Sequence, residues 1–324
     1  MIKEKIHKKK IAVVIPCYRV KNHIRLVLEK IPKEVGMIFI IDDHCPENSG
    51  NFVKAVNKDK RVQIIFHDEN QGVGGAVISG YKAAVMAGAT IIIKIDGDGQ
   101  MNPDLIPSFI KPILDGKADY TKGNRFFNIK NLLEMPFSRL FGNSMISLIN
   151  KAVSGYWDIM DPSNGYTAIH ASVLRQLPLE KVDPRYFFES DMLFWLSSIR
   201  AVVQDIPMKS IYENESSNLK IKRILFEFPI KYFKRFFQRI FYTYFLRDFN
   251  AGTVQIISGV IFTFSGFIFG LHEWSKSIES GIPATSGTVM LAALPFLVGV
   301  QLMISAINYD IKSVPRNPIH DDMN

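Results

Sequence analysis

The chain has 324 residues, a formal charge of +8 at neutral pH and a 47% apolar share, which is room for one large domain and a further apolar segment. Its Lys and Arg residues gather beside apolar runs and not among aromatic stacking platforms, so nucleic acid is excluded as a partner and a membrane surface is favoured. The two cysteines, Cys17 and Cys45, fall near the ends of predicted strands and read as reduced structural thiols.

Residues 1–10 are basic, but Pro16 and Arg19 interrupt the apolar run that follows, so no signal peptide is expected and the first domain is assigned to the cytosol. Residues 11–16 predict a buried strand ending at Pro16, and residues 22–31 the helix behind it. Residues 37–41 predict a second strand that finishes in Asp42 and Asp43, residues 62–66 a third, and residues 72–87 a helix rich in small side chains. Strand and helix alternating at this spacing predict right-handed crossovers and a mostly parallel α/β sheet. The glycines of residues 70–75 miss the dinucleotide fingerprint, because Val77 stands three places after Gly74, and this disfavours a Rossmann dehydrogenase.

Ile91, Ile92, Ile93 and Ile95 predict a central strand covered on both faces. At its carboxyl end, where open α/β sheets place their ligands, come Asp96, Asp98 and Gln100. In an extended segment this spacing of two puts the three side chains on one side. Such oxygen donors suit a hard cation, Mg²⁺ or Mn²⁺, although a lone Asp-x-Asp reads equally as a solvated turn. With Asp42 and Asp43 on a neighbouring strand end, the outline is that of a nucleotide-diphosphate pocket.

Asp96-x-Asp98-x-Gln100 after a buried strand, followed by Met101-Asn102-Pro103-Asp104 opening a helix, resembles the metal and nucleotide-sugar site of family 2 glycosyltransferases with the GT-A fold. Within that family it is most similar to the polyprenyl-phosphate glycosyltransferases, the group of dolichyl-phosphate mannose synthase and the bactoprenol glucosyltransferases, over most of residues 11–210. The resemblance implies a UDP- or GDP-sugar donor held near Pro16, Tyr18, Asp42, Asp43, Asn70, Gly72 and Asp96. It implies a metal on Asp96, Asp98 and Gln100, with Asp98 the principal ligand. For Asn70 and Gly72 a tight turn capping a helix is an equally good reading. The family's Pro-x-Tyr-Asn-Glu is here Pro16-Cys17-Tyr18-Arg19-Val20, so the acidic residue is absent.

Further on, Lys122-Gly123-Asn124-Arg125 is similar to the family's Gly-x-Arg, and Arg139 follows fourteen residues later. The resemblance implies that Arg125 and Arg139 grip the lipid phosphate, a task for which the planar guanidinium fork is suited. Residues 161–169, Asp-Pro-Ser-Asn-Gly-Tyr-Thr-Ala-Ile, resemble the strand that closes the sugar side of the pocket. Glu189 and Asp191 read either as a catalytic base or as first-turn helix acids favoured by the macrodipole.

From residue 221 the pattern changes. Lys231, Lys234, Arg235 and Arg239 recur at helical spacing opposite Ile230, Phe233, Phe236, Phe237, Ile240 and Phe241, as expected of a helix lying in an anionic membrane interface. Residues 252–271 and 286–307 are each long and apolar enough to cross a bilayer, with Pro295 a predicted kink. The excess of Lys and Arg before the first span predicts that the catalytic domain and the tail lie in the cytosol.

The organisation expected is a cytosolic GT-A domain over residues 1–217, basic interfacial helices over 218–249, a two-helix transmembrane hairpin over 250–310 and a cytosolic tail over 311–324. The function expected is metal-dependent, inverting transfer of a sugar from a nucleotide-diphosphate sugar to a membrane polyprenyl phosphate, undecaprenyl or dolichyl. Self-association through the spans is left open. A processive polysaccharide synthase is disfavoured because no Gln-x-x-Arg-Trp precedes the spans, and a noncatalytic scaffold because Asp-x-Asp-x-Gln is intact.

Overall fold

The structure is a computed structural model that describes residues 10–127, 137–209 and 221–320. Its centre is a seven-stranded sheet of β1 (Ile11–Cys17), β2 (Met37–Asp42), β3 (Val62–Phe66), β4 (Ile91–Lys94), β5 (Tyr120–Asn124), β6 (Thr167–His170) and β7 (Val203–Pro207), in the order β3-β2-β1-β4-β6-β5-β7. β6 pairs antiparallel with both β4 and β5, while the pairings of β1 with β2 and β4, of β2 with β3 and of β5 with β7 are parallel. The strands β1 and β4 are buried on both faces, which is why their sequences run apolar without alternation.

Around the sheet lie α1 (Ile24–Lys30), α2 (Ser49–Val56), α3 (Val73–Met86), α4 (Ile106–Leu114), α5 (Phe137–Ser154), α6 (Ala171–Leu174) and α7 (Phe188–Ser198). The small residues of α3 let it approach the sheet closely, and Gly74, Gly75, Ala76, Gly80 and Ala84 are all buried. Ile11, Val13 and Ile15 of β1, Ile91 and Ile93 of β4 and Phe109, Ile110 and Ile113 of α4 share the main core. The predicted strand over residues 161–169 is shorter than expected. Asp161–Tyr166 is loop, held by Asn164 Oδ1 accepting from the Tyr166 amide at 2.9 Å, and only Thr167–His170 joins the ladder.

Helix α8 (Ile221–Phe241) follows. The chain divides into two compact units, one running to Phe236 and resuming at Pro315, the other spanning Phe237–Val314. In the first unit, the cationic side of α8 faces protein and not solvent. Lys231 Nζ lies 2.5 Å from Asp183 Oδ2, and Arg235 donates from Nε to Asp191 Oδ1 at 2.6 Å and from Nη2 to Oδ2 at 2.9 Å. Tyr232 is buried against Phe187 and Val153. Ile230 and Phe233 are 72% and 68% exposed: the acids of the domain claim Lys231 and Arg235, and the apolar edge is left outward. Lys234 alone of the predicted cationic row is exposed among those described in this unit.

Pro315 onward returns to the first unit. Asp119, at the entry of β5, accepts from the amides of Ile319 and His320 and lies 2.7 Å from His320 Nδ1, and the His320 ring stacks on His170 at 4.5 Å. Of the tail expected over 311–324, residues to Lys312 are helical and Ile319 and His320 are held on Asp119.

The second unit contains α9 (Ala251–Ser280) and α10 (Ser286–Lys312), both long and apolar enough to cross a membrane. Asn250 opens α9 with a capping box, and Thr285 caps α10. Gly259, Gly266 and Gly299 are buried where the two helices meet. Helix α9 runs nine residues beyond the predicted span, so Glu273, Lys276 and Glu279 are helical and Gly281–Thr285 connects it to α10. Thirty residues of helix span about 45 Å, more than a hydrocarbon core of about 30 Å requires. Within this unit Arg239 donates both terminal nitrogens to Asp310, at 2.7 and 3.0 Å, and Tyr244 donates to the same carboxylate at 2.6 Å.

Candidate active site

Parallel pairing brings the carboxyl ends of β1, β2 and β4 to one edge. Pro16 is the penultimate residue of β1, in register with Ile41, and Tyr18 beyond it is 42% exposed with the Arg19 guanidinium over its ring at 5.4 Å. The Arg19 amide donates to Cys45 Sγ at 3.1 Å, which ties the loop after β1 to the loop after β2.

At the end of β2, the two aspartates are engaged. Asp42 accepts from the amides of Cys45 and Gly50 at 2.7 and 2.6 Å. Asp43 accepts from the amides of Gln71 and Gly72 at 2.8 Å each and lies 2.8 Å from His67 Nδ1, while Asn70 Nδ2 donates to the Asp43 carbonyl at 3.1 Å. Both carboxylates are nearly sealed, at 4% and 2% exposure. Gly72 takes φ +90°, a conformation costly for residues with a Cβ, as it turns into α3. Asp42, Asp43, Asn70 and Gly72 are therefore brought together as the brace of the loops at this edge.

The end of β4 differs. The strand stops at Lys94, the chain turns at Gly97 and Asp98, and Gly99 takes φ +82°. Asp98 Oδ1 accepts from the Gln100 amide at 3.0 Å, a local Asx turn. The extended alternation expected of Asp96, Asp98 and Gln100 is absent, so alignment of Gln100 with the two acids has no backbone basis. The acids remain part-exposed, the Asp96 side chain by 28%. Asp96 Oδ1 lies 2.9 Å from Lys94 Nζ, which is also 3.1 Å from Glu189 Oε1 at the start of α7. The lysine is 1% exposed, and the two carboxylates outweigh burial to raise its pKa.

A second ionic cluster lies under β5 and β6. Arg125 donates from Nε and Nη2 to Asp161 at 2.7 and 2.8 Å, a two-bond pair with a fully buried carboxylate. Burial would raise the Asp161 pKa, but the hydrogen bonds and charge of Arg125 outweigh it and hold the group below the usual carboxylate range. Lys122, in register with Thr167 and so in one row with Lys94, is fully buried and donates to the Asn164 carbonyl. Desolvation pulls it down to about 8. Asp205 accepts from Asn124 Nδ2 and from the Met160 amide, and burial pushes it up to about 6.

The fork of Arg125, expected to grip a lipid phosphate, thus grips Asp161. The backbone of Arg139 lies in α5, and its side chain is outside the described residues. Asp191 lies in the first turn of α7, pairs with Arg235 and accepts from the Asp183 amide at 2.8 Å. Glu189 faces Lys94. Sequence reasoning passed over Lys94 and Asp205 and gave Lys122 and Asp161, though they lie in the motifs it singled out, no role of their own. The signal available for Lys94 was a charged residue inside an otherwise apolar strand, two places before Asp96.

A parallel sheet with one reversed strand, and acids at the end of its central strand, defines a GT-A-type glycosyltransferase. The family model for glycosyl transferase family 2 matches residues 12–177, and the chain belongs to that family. It is 30% identical over 238 residues to the UDP-N-acetylglucosamine–dolichyl-phosphate N-acetylglucosaminyltransferase of Methanococcus voltae, covering 69% of this chain and 94% of that one. It is 24% identical over 203 residues to the undecaprenyl-phosphate mannosyltransferase of Micrococcus luteus, covering 61% of this chain and 82% of that one. Among solved structures, glucosyl-3-phosphoglycerate synthase of Mycobacterium tuberculosis, in complex with Mn²⁺, UDP-glucose and phosphoglyceric acid, superposes with a TM-score of 0.54 at 16% identity. That match covers 74% of this chain and 82% of that one, and it supports the fold.

Proposed function

We propose that this glycosyltransferase moves a sugar from a nucleotide-diphosphate sugar to the phosphate of a membrane polyprenyl lipid, with inversion at the anomeric carbon. The observation that carries the reading is the presence in one chain of a family 2 site, with part-exposed Asp96 and Asp98, and two helices of membrane-crossing length. Relatives that act on dolichyl and undecaprenyl phosphates support the acceptor class.

Asp96 and Asp98 are hard oxygen donors with part of their surface open, and they suit Mg²⁺ or Mn²⁺. Among the described residues no group of three or more His, Cys, Asp or Glu is placed to hold an ion, so the remaining ligands would be water and phosphate oxygens. A bound divalent ion supplies charge stabilisation to the departing diphosphate. Asp98, with Asp96, orients it there. The acceptor phosphate, with a second pKa of about 6, is largely ionised at neutral pH and attacks without giving a proton to a base. Both acids at the head of α7 fit this economy, since Glu189 is engaged by Lys94 and Asp191 by Arg235.

The chain up to Phe236 and again from Pro315 belongs to the catalytic unit, which supports two spans whose ends emerge on one side of the bilayer. The Lys and Arg excess before the first span supports the cytosol as that side. Helix α8 would lie at the interface with Ile230, Phe233, Phe237 and Phe241, all exposed and at helical spacing, in the lipid.

The test is incubation of the purified full chain in nanodiscs with Mn²⁺, a polyprenyl phosphate and a panel of labelled UDP- and GDP-sugars. Label should pass into the organic phase with one donor, and the corresponding polyprenol without phosphate should take none. No lipid-linked label with any donor, or equal labelling of the free alcohol, would overturn the reading.

A further inference from the structure

Lys94 is buried between two carboxylates that belong to different elements, Asp96 just beyond β4 and Glu189 on α7. Space for this meeting depends on Gly165. A Cβ there would collide with Lys94 Nζ and stand 2.7 Å from Asp96 Oδ2. The loop that closes over the pair is thus shaped to let the ammonium reach Asp96.

That geometry bears on how an ion is held. A divalent cation at Asp96 must share the carboxylate with an ammonium fixed 2.9 Å away, and the two cations repel. Glu189 draws part of the lysine's charge to itself. With few carboxylates of its own to offer, the protein binds the ion weakly until further oxygen ligands and negative charge arrive, and a nucleoside diphosphate brings both.

We propose that Lys94 is a positioning residue that makes metal binding depend on the donor: tied to Asp96 and Glu189 together, it offsets the Asp96 charge so that the ion is held firmly only with the nucleotide diphosphate. This rests on the reading of Asp96 and Asp98 as metal ligands.

The experiment is Mn²⁺ binding to the purified full chain, read by the loss of the free-ion EPR signal, with and without UDP or GDP. Wild type should bind Mn²⁺ alone weakly and at least about tenfold more tightly with one of the nucleotides, a change of the size of a screened charge contact. Lys94→Met should tighten binding of Mn²⁺ alone and shrink the nucleotide's increment, and Lys94→Arg should restore the wild-type pattern. Glu189→Gln should act in the opposite sense, weakening Mn²⁺ alone by leaving the whole ammonium charge to Asp96.

Opposite signs for the two charge removals are what a merely structural role cannot produce. Weaker binding in both variants, or no change in either, would overturn the role of Lys94. If Lys94→Met fails to fold, Glu189→Gln decides, with unchanged affinity counting against the proposal. Wild type that binds no Mn²⁺ even with nucleotide would overturn the metal reading, and this inference with it.

Discussion

At the end of β2, Asp42 and Asp43 are sealed, and four backbone amides and the His67 ring occupy their oxygens. At the end of β4, on the same sheet edge, Asp96 and Asp98 stay part-exposed, with a buried lysine beside the first and an Asx turn at the second. The residue type and the position at a strand's carboxyl end are alike. What separates them is whether the surrounding loops supply N–H donors. After β2 the chain curls back into α2 and presents the amides of Cys45 and Gly50 to Asp42, and the loop between β3 and α3 presents those of Gln71 and Gly72 to Asp43. After β4 the chain turns away at two glycines. A sealed acid is a structural brace, and an acid left open is available for chemistry.

The largest expected effect breaks the open pair. Asp98→Asn should lower turnover by about 10²–10³-fold, the range for a lost electrostatic contact in the transition state, with little change in melting temperature. Sealed acids should behave in the opposite way. Arg235→Gln leaves Asp191 buried without its cation and should cost about 3 kcal/mol of stability, read by denaturant unfolding in detergent. Asp43→Asn keeps one acceptor of two and should cost about 2 kcal/mol, while activity per folded molecule stays within a fewfold of wild type.

Asp205 sharpens the contrast from the other side, because its burial is incompletely compensated. Its folded pKa, about 6, lies above the unfolded value, so the native state binds the extra proton and its contribution to stability declines as pH rises from about 4 through 6. Asp205→Asn should therefore be about 3 kcal/mol more stable than wild type at pH 7, an advantage that vanishes near pH 4. Unfolding curves at the two pH values check both the sign and the window.

Much of the sheet was legible because apolar runs and the punctuation between them are local signals: β1, β2 and β3 fall within a residue of their predicted bounds. The pairing partners of charges were not, since they are set by contacts distant in sequence. Lys94 meets Glu189 across 95 residues, Arg125 meets Asp161 across 36, and Asp119 meets His320 across 201. For the same reason the row of cations on α8 suggested lipid headgroups, whereas Asp183 and Asp191 receive two of its members. The alignment expected of Asp96, Asp98 and Gln100 failed for a local reason, because Gly97 and Gly99 favour a turn over continued strand.

The most direct measurement is an experimental structure of the full chain with Mn²⁺ and its nucleotide sugar. The account predicts the ion between the donor diphosphate and Asp98, with Asp96 still within reach of Lys94 and Asp43 still accepting from the amides of Gln71 and Gly72. An ion held at Asp42 or Asp43, or a diphosphate seated away from Asp98, would contradict it.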